Sequence, residues 1–525
     1  MVFRRRKRDD GAHSVSSIPQ VILRKYFHVR TVIETPITPI CRDYPPGFAF
    51  FEYALSNSPI TTRLLRSGWL DEKCLALLPD SDNEPSDSCI KFQRITVIAS
   101  DVVLFLGAYF ATSAMKRLGE YRCGRSPLTT FFLVVSNPGL LLLDHIHFQY
   151  NGMMLGVLLM SIGCLVRGSE RGSSTASQIW ELSGAACYAF LLSMKHLYVI
   201  LAPLYLVYLF RRHCFVTTGT DDEGIQLKFS ISRLACLAFV TLASFLGPFV
   251  PFLIQNDPAG QILQIMARLF PFGRGLVHDY WAGNLWALYL FIGKIAAFVL
   301  RKLPLPLEVK SKLGPLISFP LPSPRIVALC MLIGLIPVIR QAWMVGTWSH
   351  TRRQICSPGK FFIHGVVFSS LSGFMLGYHV HEKAIMTAIV PMTLVAADTR
   401  KNTRIFIRMS IFGVFGLLPL LYRPNELPLK TFMYMSWIFG TVVALERVNV
   451  DQNAGYRTVM QFADKMCLLF LGMVFAFMEI IHPLVFGENL EFLLLMLTSV
   501  TCSAGLMWLW GEEIEELLHC SMKSA

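Results

Sequence analysis

The chain has 525 residues, of which 53% are hydrophobic and 16% charged, and its formal net charge is +13. A soluble domain carries about 25% charged residues, so this composition excludes an ordinary water-soluble protein. Lys and Arg stand mainly in short clusters between apolar runs, as in the loops of membrane proteins. We therefore predict an all-α polytopic membrane protein that contacts membrane lipid and binds no nucleic acid.

The first part of the chain lacks an apolar stretch long enough to span a bilayer. We interpret residues 1–42, which include the run RRRKR, as an atypical basic lead and residues 43–95 as the first luminal loop. Because a basic run favours the cytoplasm, a first helix between the two is expected to be missing. Cys74 and Cys89 flank a polar stretch, and both a disulfide and two free thiols agree with the sequence.

About thirteen apolar stretches follow that are suited to helices in a membrane. They lie at 96–115, 128–143, 150–167, 180–193, 195–210, 232–254, 326–345, 361–377, 384–397, 404–422, 431–446, 465–485 and 490–510.

The connections between these stretches set the predicted orientation. Basic connections such as 116–125 and 400–404 are expected in the cytoplasm. Residues 96–510 then form one multi-span domain, in which 255–325 is a long luminal loop with an interfacial helix. We interpret 511–525 as a cytoplasmic tail, with its EEIEE run solvated.

Ionisable side chains gather at the predicted luminal ends of the helices. A single one is often an interfacial residue, but a group of His and Lys on one side favours a site for an anion. Cations would stabilise a phosphate leaving group, and a carboxylate would take the proton of an acceptor hydroxyl. This chemistry needs no metal or other cofactor. The group comprises Asp43, Asp144, His145, His147, Lys195, His196, Arg268, Arg274, His278, Asp279, His379, His381, Glu382 and Lys383.

Several motifs resemble the endoplasmic-reticulum glucosyltransferases that use dolichyl-phosphate glucose. They are DHIHFQYNG at 144–152, DYPPGFAFFEYALS at 43–56, SMKHLYVILAPLY at 193–205, RLFPFGRGLVHDYWAGNLWALY at 268–289 and GYHVHEKAI at 377–385. They occur in the family order from about residue 43 to near the C-terminus. The second and fourth motifs are more similar to the enzyme that adds the second glucose to lipid-linked oligosaccharide than to the one that adds the first.

The resemblance implies a GT-C-type helical bundle of fourteen spans, an inverting α-1,3-glucosyltransferase and a luminal active site in the endoplasmic-reticulum membrane. Its substrates would be dolichyl-phosphate glucose and the monoglucosylated dolichyl-diphosphate oligosaccharide used in protein N-glycosylation. By motif, His381 and Lys383 would contact the phosphate. The residues that would shape the pocket are His147, Gln149, Tyr150 and Asn151, although Tyr150 and Asn151 are equally compatible with packing or capping the next helix.

The chain departs from the family at its start, because residues 1–42 lack the acidic DFE segment that is the presumed base in other members. Asp43 is the family-matched carboxylate left on the first luminal loop, and we assign it as the candidate catalytic residue. Three alternatives stay open: addition of the first glucose, an inactive or truncated isoform, and a secondary transporter, although no inverted repeat typical of transporters is found.

Overall fold

A computed structural model describes the fold at residues 44–71, 74–75, 86–119, 126–169, 175–221, 224–254, 257–270, 273, 275–277, 282–304, 306, 308–309, 320–345, 357–448, 459–487 and 489–522. Side chains are described throughout these ranges except at 217–226 and 520–522. The basic lead and Asp43 lie outside the described residues.

The described chain begins with two short helices, α1 (Pro46–Ser56) and α2 (Pro59–Arg66). Pro at the first position and the Ser58 side chain, which accepts a bond from Thr61, begin α2. Cys74 and Cys89 form a disulfide that joins the segment after α2 to the next long helix. The structure therefore contains the disulfide and not the two free thiols that also agreed with the sequence.

Four long helices follow: α3 (Asp87–Arg117), α4 (Ser126–Val135), α5 (Asn151–Gly168) and α6 (Thr175–Met194). Helix α4 continues through Pro138–Leu140 into a wide π-helical turn, Leu141–Ile146. Helices α3 and α5 touch backbone to backbone, since a Cβ placed on Gly107 would lie 2.2 Å from the Gly156 carbonyl oxygen. Small residues permit such close approach between membrane helices.

A 3₁₀ turn, His196–Leu201, leads into α7 (Ala202–His213), which is followed by α8 (Ile231–Leu246) and the short helix Val250–Leu253. Between α7 and α8 lies an antiparallel hairpin of β1 (Phe215–Asp221) and β2 (Gly224–Phe229). The hairpin is a small β element in a fold that is otherwise helical, as predicted.

The region predicted as a long luminal loop contains α9 (Pro258–Leu269) and α10 (Leu285–Lys302). Asn284 caps α10 by accepting a hydrogen bond from the Ala287 N–H at 3.2 Å. Helix α10 coincides with the helix predicted for the membrane interface, and its position in a membrane stays a prediction.

The centre of the bundle consists of α11 (Pro324–Val345), α12 (Pro358–Leu376), α13 (Met386–Ala396) and α14 (Arg400–Phe415). Helices α12 and α13 are buried on nearly every face. They are apolar all round, as expected of helices surrounded by others.

The last helices are α15 (Leu427–Val448), α16 (Phe462–Ala476) and α17 (Glu491–Met522), with a π turn and the short helix His482–Val485 after α16. The prediction that the EEIEE run is solvated holds for Glu515, whose side chain is 71% exposed, and is wrong for Glu513. The run lies within α17, where Glu513 is fully buried and bonds to His364 at 2.6 Å. Arg408 pairs with Glu512 at 2.5 Å and with Asp464 on α16.

All thirteen predicted stretches coincide with helices. Among the described residues, nine helical segments are long and apolar enough to cross a membrane. This confirms the prediction of an all-α polytopic membrane protein. The stretches at 180–193, 195–210, 384–397 and 431–446 are helical but are not among the nine, so the full span count stays a prediction.

Candidate functional site

Asp144 lies buried in the π turn that ends the α4 segment. One of its oxygens accepts from the Asn151 backbone N–H at 3.1 Å and from the Asn151 side-chain amide at 2.9 Å, and the other accepts from the Gly152 N–H. These are the first N–H groups of α5, where a negative charge stabilises the helix. Asp144 is therefore a helix cap that fixes the start of α5.

Lys195 continues this network from the break between α6 and the 3₁₀ turn. Its Nζ donates to the Asn151 Oδ1 at 2.6 Å, and the Asn151 amide also donates to the Gln149 Oε1 at 3.0 Å. Lys195 is 8% exposed. A buried ammonium is costly unless it is paired and hydrogen-bonded, so the chain Lys195–Asn151–Asp144 holds three helices in one geometry.

His145 points to a different partner. Its Nε2 lies 2.6 Å from the Asp101 Oδ2 on α3. The two aspartates converge on Gly152, because a Cβ there would lie 3.1 Å from an Asp144 oxygen and 3.2 Å from an Asp101 oxygen. We call Asp101, Asp144, His145, Asn151 and Lys195 the polar cluster.

Tyr150 forms the wall between the polar cluster and the first helices. Its hydroxyl lies 3.0 Å from the Thr96 Oγ1, and its ring packs edge-on against Phe51 at 5.2 Å. The neighbouring Glu52 is 3% exposed, and burial raises its pKa well above the usual value. Tyr150 thus packs α1 against α3.

His147 lies between two other loops. Burial lowers its pKa, and the Lys383 charge acts in the same direction, whereas Glu426 and a backbone hydrogen bond to Leu420 partly offset them. The loop after α4 therefore meets the loop before α13 and the one before α15. His147 is neutral at neutral pH.

The loop at 377–383 is held by the long loop region. The His379 N–H donates to the Leu276 carbonyl at 2.8 Å, and its Nδ1 lies 3.1 Å from the Gly275 carbonyl oxygen. The rings of His379 and His381 meet edge to face at 5.6 Å. Glu382 is buried, which raises its pKa, while Lys383 lowers it.

The structure thus brings most of the predicted residues into one region and separates His196 from it. Arg274, His278 and Asp279 lie outside the described residues. The Lys195 charge acts on both Asp144 and Lys383, which links the polar cluster to the 377–383 loop. His196 instead packs against Phe270, at a ring distance of 5.8 Å beside α9. Asp43 cannot be placed because it precedes the described residues.

Sequence reasoning missed Asp101, Thr96 and Glu426 as partners of the site. Asp101 carried a usable signal, because a carboxylate inside an apolar stretch is costly and usually has a specific partner. Glu52 carried a weaker one, as an acid within the aromatic segment FFEY. Glu426 gave no sequence signal, since it lies in an ordinary polar connection.

Comparison with known proteins finds one family and relatives that share one name, and the similarity covers almost the whole chain. Residues 40–512 match the ALG6, ALG8 glycosyltransferase family. A protein of Arabidopsis thaliana named dolichyl pyrophosphate Glc1Man9GlcNAc2 alpha-1,3-glucosyltransferase is 32% identical over 91% of this chain and 87% of its own length. Proteins of the same name from Mus musculus and Schizosaccharomyces pombe are each 31% identical, over 92% and 89% of this chain and 87% and 86% of theirs.

Proposed function

The chain belongs to the ALG6, ALG8 glycosyltransferase family, and from this premise we propose that it adds the second glucose to a lipid-linked oligosaccharide. The acceptor is dolichyl pyrophosphate-linked Glc1Man9GlcNAc2, the donor is dolichyl-phosphate glucose, and the new linkage is α-1,3 with inversion. The acceptor and the linkage are those in the names of the relatives. The reaction takes place in the endoplasmic-reticulum membrane, with the polar cluster on the luminal side.

The observation that carries this proposal is the buried lysine beside a capped helix. Burial lowers the pKa of Lys195 to about 7, and the charge of Lys383 acts in the same direction because the two ammonium groups repel each other. An anionic phosphate between them relieves that repulsion, and its hydrogen bonds to charged donors are stronger than those between neutral groups. The leaving dolichyl phosphate gains negative charge as the glycosidic bond breaks, so these cations stabilise it most in the transition state.

Asp144 positions groups in this mechanism and does not act as the base. Three N–H groups of Asn151 and Gly152 already bind its two oxygens, so we assign it the role of holding the start of α5. We assign the base to Asp43, the family-matched carboxylate of the first loop. His381 contacts the departing phosphate together with Lys383, and Gln149 and Asn151 line the sugar pocket.

The test is glucose transfer by the purified full chain in proteoliposomes, with labelled dolichyl-phosphate glucose. Acceptors with and without the first glucose are offered side by side. We expect label on Glc1Man9GlcNAc2 and at least tenfold less on Man9GlcNAc2. Preference for the unglucosylated acceptor would assign addition of the first glucose, and an absence of transfer to either would assign an inactive isoform.

The identity of the base needs its own variant. Asp43→Asn should reduce transfer about 100-fold or more, because amide oxygens cannot take the proton. Asp257→Asn is a matched control, since Asp257 lies outside the motifs of the site and Asn also caps helices. Transfer by Asp43→Asn at the level of this control would show that another carboxylate is the base.

A further inference from the structure

A lateral groove of about 550 Å³ opens between α3, α4 and α15. One face of α15 lines it with residues three or four positions apart: Met433, Ser436, Trp437, Gly440, Thr441 and Ala444. This spacing marks one continuous helix face. The groove walls are mainly apolar, and side chains on the rim, such as Leu128 and Phe132, are more than half exposed.

The groove is longer than the part of a lipid chain that lies in one leaflet. It follows the α4 segment from Leu128 to His145, a distance of about 25 Å at the helical rise. The hydrocarbon core of a bilayer is about 30 Å thick. A ligand that fills the groove is therefore elongated and apolar along most of its length.

One end of the groove is polar and belongs to the polar cluster. Asp101 and His145 line it there, and the His145 side chain is 35% exposed beside its bond to Asp101. Asp101 lies next to Gly152 and Asp144, so the groove ends at the candidate site. An imidazolium that donates one N–H to Asp101 has a second N–H for an anionic head group.

We propose that the lateral groove holds the polyisoprenoid chain of the acceptor, with its pyrophosphate at the end marked by Asp101 and His145. This inference rests on the proposed function. The two lipid-linked substrates need separate grooves because both chains are present when the sugar is transferred. The predicted contacts of the donor phosphate, His381 and Lys383, lie on the 377–383 loop, and that loop contributes no residue to the groove.

Gly440 offers a way to block the groove without disturbing the fold. A Cβ at Gly440 meets no atom within 4 Å. It lies seven residues beyond Met433, the first residue of α15 that lines the groove, which is about 10 Å along the helix. Gly472 on α16 is a matched control, because a Cβ there also meets nothing within 4 Å and Gly472 does not line the groove.

The experiment compares Gly440→Phe and Gly472→Phe in glucose transfer. Gly440→Phe should raise the KM for the dolichyl-linked acceptor at least tenfold and leave the KM for dolichyl-phosphate glucose within twofold. The same oligosaccharide on dimethylallyl pyrophosphate, whose single isoprene unit ends before Gly440, should show no such difference. A rise in the donor KM instead would assign the groove to the donor, and no rise in either would leave it to bulk lipid; both results overturn the proposal.

A binding measurement keeps this test independent of catalysis. Dolichyl pyrophosphate with a diazirine near the chain end should label peptides of α4 and α15 in the wild type and in Gly472→Phe, and at least fivefold less in Gly440→Phe. Unlabelled dolichyl phosphate should compete less well than unlabelled dolichyl pyrophosphate. If the wild type transfers no glucose but shows this labelling, the proposed function fails and the groove stands. Labelling that Gly440→Phe does not reduce refutes the groove.

Discussion

The two ends of the bundle treat buried charge in different ways. At the end of the bundle where α14 begins, buried carboxylates contact side chains of other helices directly. Examples are the pairs of Glu513 with His364 and of Asp464 with Arg408. In the polar cluster, Asp101 also meets His145 directly, but Asp144 meets backbone and amide N–H groups and Lys195 donates to the Asn151 amide oxygen. Ion pairs hold helices together, whereas a lysine that donates to a neutral amide has further N–H donors for an anionic ligand.

The largest expected effect comes from breaking a buried ion pair. Arg408→Leu leaves the buried Asp464 and the half-buried Glu512 without their cation, which should cost about 3–5 kcal/mol in the free energy of unfolding. The measurement is thermal unfolding of the purified protein in detergent. Replacing all three residues by Leu should recover much of the loss, because no unpaired charge is then buried. An unchanged midpoint in the single variant would contradict the pairing.

Asp144→Ala should act on the reaction more than on stability. Without the cap, Asn151 and Lys195 lose their common anchor, and a displacement of about 1 Å can lower kcat/KM about 100-fold. The control is Asp398→Ala at the other end, where Asp398 pairs with Lys360 at 3.1 Å. It should keep kcat/KM within about twofold per folded molecule. Equal losses in the two variants would show that the ends do not differ in function.

His147, which lies near the polar cluster, should make the stability of the protein depend on pH. Its pKa in the folded state is lowered, mainly by burial, so the unfolded chain binds this proton more readily. The resulting stability is full above the unfolded pKa of about 6.5 and falls as the pH drops below it. His147→Gln should lose less stability than the wild type in thermal unfolding as the pH falls from 7 to 5, because the loss in the wild type occurs below the unfolded pKa. Parallel curves would refute the burial effect.

The smallest effect is expected at an exposed ion pair near the start of α14. Lys401 lies 2.8 Å from Glu516, but its side chain is 41% exposed, so solvent screens the interaction. Lys401→Ala should change the free energy of unfolding by about 0.5 kcal/mol or less. A loss as large as that of Arg408→Leu would mean that burial does not decide the strength of these pairs.

The helices could be predicted because long apolar stretches are visible in the sequence without any tertiary information. The hairpin at 215–229 could not, since its polar residues resemble an ordinary loop. The role of Asp144 as a cap depends on a π turn that brings it to Asn151 and Gly152. The burial of Glu513 depends on His364, which is 149 residues away in sequence. Contacts of this kind depend on the packing of the whole bundle.

The length of α17 has a consequence for how the protein sits in a bilayer. Its 32 residues extend about 48 Å at the helical rise, against a hydrocarbon core of about 30 Å. Placing the whole helix inside the core would need a tilt of about 50°, whereas membrane helices reach about 40°. One end must therefore project into the head-group layer. The acidic run at 512–516 indicates that the projecting end is the C-terminal one. Glu512 and Glu513 then form their pairs inside the protein at the level of the head groups, outside the hydrocarbon core.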